Sequence, residues 1–142
     1  MLKRRAPRQW SLFSCCAARR PASHFSAQWF ARLLRSDLNM DGTGEVSGTI
    51  PATISRLTAL EALYLSMNKL SGTLPPDLCD WPAFRTQISQ LDFHSMRLSG
   101  TIPDLTSCIS LCSLTLTNNS FTGLPAGLPA SLTHAYLDAN PL

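Results

Sequence analysis

One short phrase recurs four times in this chain, and its spacing constrains the fold more than any other feature. The copies are SGTIP at 47–51, SGTLP at 71–75, SGTIP at 99–103 and TGLP at 122–125. An apolar residue precedes each copy and stands again at Leu142, which gives successive intervals of 24, 28, 23 and 21 residues. A unit of this length buries its apolar side only by stacking on its neighbours. The chain is therefore predicted to form a solenoid.

Charge divides the chain into two parts. Residues 1–36 hold eight of the twelve Lys and Arg residues and no acidic residue, whereas residues 37–142 hold four basic and all nine acidic residues. We predict a basic leader at 1–36 and a repeat domain of four to five coils at 37–142, the last one incomplete. The Arg-rich and Ser-rich leader is compatible with an organelle transit peptide, a disordered segment, or a start that replaces the original one.

Several function classes are disfavoured by composition and motifs. The repeats are mildly acidic, which argues against nucleic-acid binding, and no segment approaches the ~18 uninterrupted apolar residues of a membrane-spanning helix. Glycines recur with the repeat instead of forming a phosphate loop, so we expect no cofactor. Asp92 and His94 alternate on one strand and His134 lies on a later one, but no nucleophile elbow or metal-ligand pair accompanies them. We expect a protein without catalytic activity and without a bound metal.

The leucine spacing within a repeat predicts local structure. Leu63 and Leu65 alternate with Tyr64, which indicates a short strand with inward leucines and an outward tyrosine. Asparagine follows at a fixed distance, where its amide can satisfy backbone groups in a buried ladder between coils. The ladder positions are Asn68, Asn119 and Asn140. Met96 takes the same position in the irregular coil and cannot supply amide hydrogen bonds, so we expect a gap there.

Residues 57–75, and again 111–125 with one residue missing, resemble the plant-type leucine-rich repeat. In that pattern an L-x-x-L-x-L-x-x-N-x-L core runs into S-G-x-I-P. The wording SGTLPP at 71–76 is also similar to repeats of the promastigote surface antigen family of flagellate protists and of plant receptor ectodomains. The resemblance implies an α/β repeat solenoid, a right-handed coil with a short parallel β-sheet on its concave face and irregular or 3-10 segments on its convex face. It also implies a cell-surface or secreted protein.

An acidic motif precedes the first repeat phrase. Asp37, Asn39, Asp41 and Gly42 match four positions of a calcium-binding EF-hand loop, but the position of its bidentate glutamate is occupied by Gly48. The favoured interpretation is a degenerate first coil in which Leu38 and Met40 supply the strand and residues 41–44 make a loop.

Cysteines and a glycosylation sequon complete the chemistry. Cys79 and Cys108 occupy corresponding places in adjacent coils, so a disulfide between them is one alternative. With Cys112 the repeats contain an odd number of cysteines, and this favours buried free thiols. Asn118 begins the tripeptide Asn-Asn-Ser and would carry a glycan if the chain enters a secretory pathway.

Binding is expected on the concave face, where outward residues of successive strands form columns. Tyrosines offer large rigid contact area, and Asp and His provide directional hydrogen bonds. The candidate ligand-binding residues are Tyr64, Ser66, Gln90, Asp92, His94, Thr115, Thr117, His134, Tyr136 and Asp138. Solubilising positions without a ligand are the alternative interpretation.

The favoured function is a non-catalytic scaffold that recognises a protein or glycan ligand. The alternative is a truncated structural fragment of a larger leucine-rich repeat receptor or surface antigen with no ligand of its own. The last coil lacks a cap, so end-to-end self-association is also expected.

Overall fold

The computed structural model describes residues 37–142, which form a stack of coils with two parallel sheets. One sheet has five strands in the order β1-β3-β5-β7-β9 and the other has four in the order β2-β4-β6-β8. The predicted repeat solenoid is confirmed, while the predicted leader at 1–36 lies outside the described residues. The strands are β1 Asp37–Asn39, β2 Ser47–Gly48, β3 Ala62–Tyr64, β4 Lys69–Gly72, β5 Gln90–Asp92, β6 Arg97–Thr101, β7 Ser113–Thr115, β8 Ser120–Gly123 and β9 His134–Tyr136.

Inward leucines of the five-stranded sheet lie in register from coil to coil. Leu38 pairs with Leu63, Leu63 with Leu91, and Leu91 with Leu114 along the parallel strands. All four are buried. Burial of each such side chain contributes roughly 1.5–3 kcal/mol to stability, so this row forms the spine of the core.

The first strand decides the interpretation of the acidic motif. β1 pairs with β3 and buries Leu38 while Asp37 and Asn39 stay exposed. The interpretation of this segment as a degenerate first coil is therefore confirmed, but the strand ends at Asn39 and Met40, expected within it, lies one residue beyond and is partly buried.

The four-stranded sheet was not predicted, and the Ser-Gly pair of the repeated phrase lies in three of its four strands, β2, β4 and β6. Gly72 and Gly100 have φ angles of 86° and 80°, a left-handed conformation that favours glycine. A Cβ added to them would lie 3.0 Å and 2.9 Å from Cγ2 of Thr49 and Thr73 in the preceding coil. The phrase recurs because each threonine packs on the glycine of the next coil.

Short helices cover the side opposite the five-stranded sheet, as expected. They are the 3-10 helices Ala52–Arg56 and Leu78–Asp80 and the α-helix α1, Pro82–Thr86. Pro82 occupies the first turn of α1, where its missing N–H costs nothing. The insertion in the irregular coil buries Trp81 and Phe84, whose rings meet edge to face with centroids 5.3 Å apart. The insertion therefore adds to the core.

A disulfide joins Cys79 to Cys108, so the expectation of free thiols in these two residues was wrong. The two residues occupy corresponding positions of stacked coils, and this brings their Cα atoms within 5.0 Å. The odd count is resolved by Cys112, which is free and exposed. Closing a loop with a sequence separation of 29 contributes about 3.6 kcal/mol in the chain-entropy description.

The last coil departs from the inward pattern. Ala135 stands in register with Leu114 but is exposed, and Leu142, expected to be the last apolar anchor, is 46% exposed. The other anchors are covered because a further coil stacks on them.

Candidate binding surface

Asparagine side chains connect the coils next to the five-stranded sheet. Nδ2 of Asn119 donates to the carbonyls of Phe93 and Leu116, and its Oδ1 accepts the N–H of Leu98 at 3.1 Å. Asn68 and Asn140 make the same set of contacts in their own coils. Each amide therefore holds two coils in a fixed register behind the candidate surface.

Met96 interrupts this row. Its side chain is buried at the position where the other coils have asparagine. A thioether has no N–H to donate to the carbonyls that an amide would bridge. The expected gap in the ladder lies at this coil, between Asn68 and Asn119.

The concave face is defined here as the outward positions of the five strands and the residue two places after each strand. The paired strands align three columns across it. The first is Asp37, Ala62, Gln90, Ser113 and His134; the second is Asn39, Tyr64, Asp92, Thr115 and Tyr136; the third is Asp41, Ser66, His94, Thr117 and Asp138.

The first coil contributes residues that sequence reasoning missed. Asp37, Asn39 and Asp41 head the three columns, but the predicted surface began at the second coil. Their alternation about Leu38 was the signal for their place on the face.

A polar network crosses three coils and joins the third column to Asp92 of the second column. Oδ1 of Asp41 accepts the N–H of Ser66 at 2.6 Å, and Oγ of Ser66 donates to Oδ1 of Asp92 at 2.7 Å. The same Asp92 oxygen lies 2.7 Å from Nδ1 of His94. Ser66 has no exposed surface, so the expectation that it contacts a ligand was wrong. Its hydroxyl supports Asp92 and His94 from below.

The order of groups in this network differs from a nucleophile–base–acid arrangement. Catalytic triads place the histidine between the hydroxyl and the carboxylate. Here the carboxylate of Asp92 binds both the Ser66 hydroxyl and the His94 ring. The histidine therefore does not activate this hydroxyl, and the geometry suits a fixed, charged contact surface.

Carboxylates surround the phenol of Tyr64. Burial raises its pKa first, and the negative charges of Asp37, Asp41 and Asp92 raise it further. Its hydroxyl donates to Oε1 of Gln90 at 2.5 Å. This tyrosine stays neutral and is held in place.

Burial is also the main cause of the raised pKa of Asp41. The N–H donated by Ser66 opposes it, and the charge of Asp92 adds to it. These carboxylates therefore influence one another across the coils.

The other end of the concave face carries an aromatic pair. The rings of His134 and Tyr136 are stacked at 21° with centroids 6.3 Å apart, and Tyr136 is 47% exposed. Thr115 and Thr117 in the neighbouring coil are partly exposed, and Asp138 is exposed. This end offers ring surface beside a carboxylate.

Asn118 lies at the turn between the two sheets. It is exposed, and its φ of 55° places it in the left-handed region that asparagine tolerates better than most residues. Its Nδ2 donates to Oγ of Ser95 at 3.1 Å. A glycan at Asn118 remains a prediction, and it would stand beside the third column.

Residues 37–142 contain no group of three or more His, Cys, Asp or Glu side chains placed to hold a metal ion. Within the same range no helix has the length and apolar character needed to cross a membrane.

The chain is similar to known leucine-rich repeat proteins, in agreement with its stacked coils. The profile of the family described as Leucine Rich Repeat matches residues 59–81. Receptor-like kinase TMK2 of Arabidopsis thaliana is 32% identical over 118 residues, which cover 76% of this chain and 13% of that protein. The chain thus spans about an eighth of the length of this relative.

Solved structures of plant ectodomains are similar as well. The BIR2 ectodomain of Arabidopsis thaliana is 38% identical with a TM-score of 0.54, covering 59% of this chain and 42% of that one. The BIR3–SERK2 complex from the same plant gives 28% identity and a TM-score of 0.60, with 72% and 55% of the two chains covered. In both cases this chain spans about half of the solved one.

Proposed function

Because residues 37–142 are a leucine-rich repeat solenoid of the plant type, we propose that this chain recognises a protein ligand through its concave face, as part of a surface or secreted protein. The observation that carries the proposal is the alignment of aromatic and hydrogen-bonding side chains in register on that face. One similar solved structure is that of a complex between two proteins, BIR3 and SERK2. Recognition without catalysis fits the order of groups around Asp92.

Rigidity supports the proposal. Tyr64 is held by Gln90, and His94 by Asp92, before any ligand arrives. Side chains that are already ordered lose less conformational entropy on binding, which favours affinity. Tyrosines in such positions are frequent hot spots in protein interfaces.

The experiment is a selection of random 12-residue peptides displayed on phage against the full chain. Selected peptides are then tested for binding to Y64A/Y136A. We expect a loss of about tenfold or more, because two aromatic contacts are removed. A matched control, I109A/L124A, removes two exposed apolar side chains from outside the concave face and should leave affinity unchanged. Equal affinity of wild type and Y64A/Y136A would reject the concave face.

A glycan is the second ligand class, and the same variants on a glycan array test it in the same way.

The alternative function, a structural piece of a larger assembly, is favoured by the exposure of the whole of β9. An uncovered parallel strand invites end-to-end association. Size-exclusion chromatography of the same preparation separates these cases, because a monodisperse monomer supports an independent binder and soluble multimers support association through β9.

A further inference from the structure

Charge is segregated between the concave face and the rest of the described chain. The face carries the carboxylates of Asp37, Asp41, Asp92 and Asp138 and no Lys or Arg. Residues 37–142 contain four basic side chains, and all of them lie elsewhere. Arg56 and Arg85 are on the short helices of the opposite side, and Lys69 and Arg97 begin β4 and β6.

We propose that the concave face binds a protein segment that carries Lys or Arg side chains. This inference rests on the proposed function and names the chemistry of its ligand. A face that carries carboxylates and no Lys or Arg attracts the opposite sign of charge and disfavours like-charged partners.

Asp37 and Asp138 are the carboxylates available for such a ligand, because Asp41 and Asp92 already accept hydrogen bonds. Within the described range the one close contact of a carboxylate with a titratable nitrogen is that of Asp92 with the His94 ring. Asp37 and Asp138, at opposite ends of the face, are exposed and have no cationic partner among these residues. The raised pKa of Tyr64, caused by burial and then by Asp37, Asp41 and Asp92, is consistent with a field of uncompensated negative charge at the first coils.

Aromatic rings lie near both acidic ends, Tyr64 in the coil after Asp37 and Tyr136 in the same coil as Asp138. Tyr64 and Tyr136 share one column, and the ring of His134 is stacked beside Tyr136. Lys and Arg side chains pack their carbon stems on apolar surface and their charged ends on aromatic faces. A cationic segment laid across the strands would therefore find carboxylates and rings in alternation, which suits basic side chains better than a uniformly acidic patch would.

The test uses the full chain, whose net charge is +3. Non-specific attraction by such a protein would favour an acidic peptide, so binding of a basic one must come from a local surface. The probes are two labelled 12-residue peptides, one alternating Lys and Ser and the other alternating Glu and Ser. We expect binding of the Lys peptide, weakened as salt rises, and weaker binding of the Glu peptide at the same salt concentration. Equal binding of both, or preference for the Glu peptide, would overturn the inference.

Matched variants locate the interaction. D37N/D138N removes two exposed carboxylates from the concave face and should weaken binding of the Lys peptide by about fivefold. E45Q/D80N makes the same change in net charge at exposed positions off the face and should leave binding unchanged. Both variants retain residues 1–36, so their difference does not depend on the basic leader. Equal effects of the two variants would contradict a site on this face.

Failure of this inference is distinguishable from failure of the proposed function. If the phage-selected peptides lose affinity for Y64A/Y136A but contain no excess of Lys or Arg, the concave face binds a ligand of another chemistry and the inference is wrong. If they keep their affinity for Y64A/Y136A, the proposed function itself is wrong.

Discussion

The coil containing β7 and the coil containing β9 have the same backbone register but different burial. Leu116 is fully buried, whereas Leu137 at the equivalent position is only partly buried. Asn119 and Asn140 make equivalent hydrogen bonds, but only Asn119 is buried. The difference teaches that the repeat pattern specifies the path of the backbone, while a further stacked coil supplies the burial.

Truncating the equivalent leucines should give the largest difference in stability between the two coils. We expect Leu116→Ala to lower the free energy of unfolding by about 3 kcal/mol, because it removes buried methyl groups and leaves a cavity. Leu137→Ala should cost about 1 kcal/mol, because its site is partly open to water. Urea unfolding followed by circular dichroism measures both. Losses of equal size would show that burial does not differ between the coils.

The ladder asparagines provide a comparison with the hydrogen bonds held constant. Asn119→Ala should cost about 2 kcal/mol, because carbonyls of Phe93 and Leu116 would lose a buried donor. Asn140→Ala should cost about 1 kcal/mol, because water can replace its amide more easily. The same unfolding measurement applies. A loss at Asn140 equal to or larger than that at Asn119 would show that burial does not set the contribution of these amides.

The charge of Asp41 in the first coil should have the smallest effect on stability. The pKa of Asp41 is raised above 3.8, mainly by burial beneath the second coil and also by Asp92. Ionised Asp41 therefore destabilises the folded state above that pH, and this penalty disappears when the pH falls below about 3.8, where the group is protonated in both states.

Asp41→Asn keeps an oxygen that can accept the Ser66 N–H and removes the charge. We expect a slightly higher melting temperature than wild type at pH 7 and no difference at pH 3. Thermal denaturation at the two pH values measures the effect. A lower melting temperature of the variant at pH 7 would show that the ionised carboxylate stabilises this coil.

Much of the concave face could be predicted because its residues alternate with leucines. A period of two assigns Tyr64, Asp92 and Tyr136 to one column, and the strand pairing places them there. Ser66 follows the same alternation and was still misassigned. Its short side chain lies below the larger side chains of Asp92 and His94 in the next coil. The alternation along one strand carries no information about the size of these neighbours.

The disulfide illustrates the same limit. Corresponding positions in adjacent repeats left a bridge between Cys79 and Cys108 open, and the odd count of cysteines argued the other way. Only the stacking distance of the two coils decides between them. The second sheet was missed for a related reason, since its Gly-Thr contacts join one coil to the next.

The sequence by itself determined the coil length, the inward leucines and the positions of the ladder amides, because these depend on spacing along one chain. The tertiary structure decided which of the repeated positions are covered, which cysteines meet and which carboxylates share one surface. Burial and charge interactions act between residues about 20 to 30 positions apart in the chain, and those distances exist only once the coils are stacked.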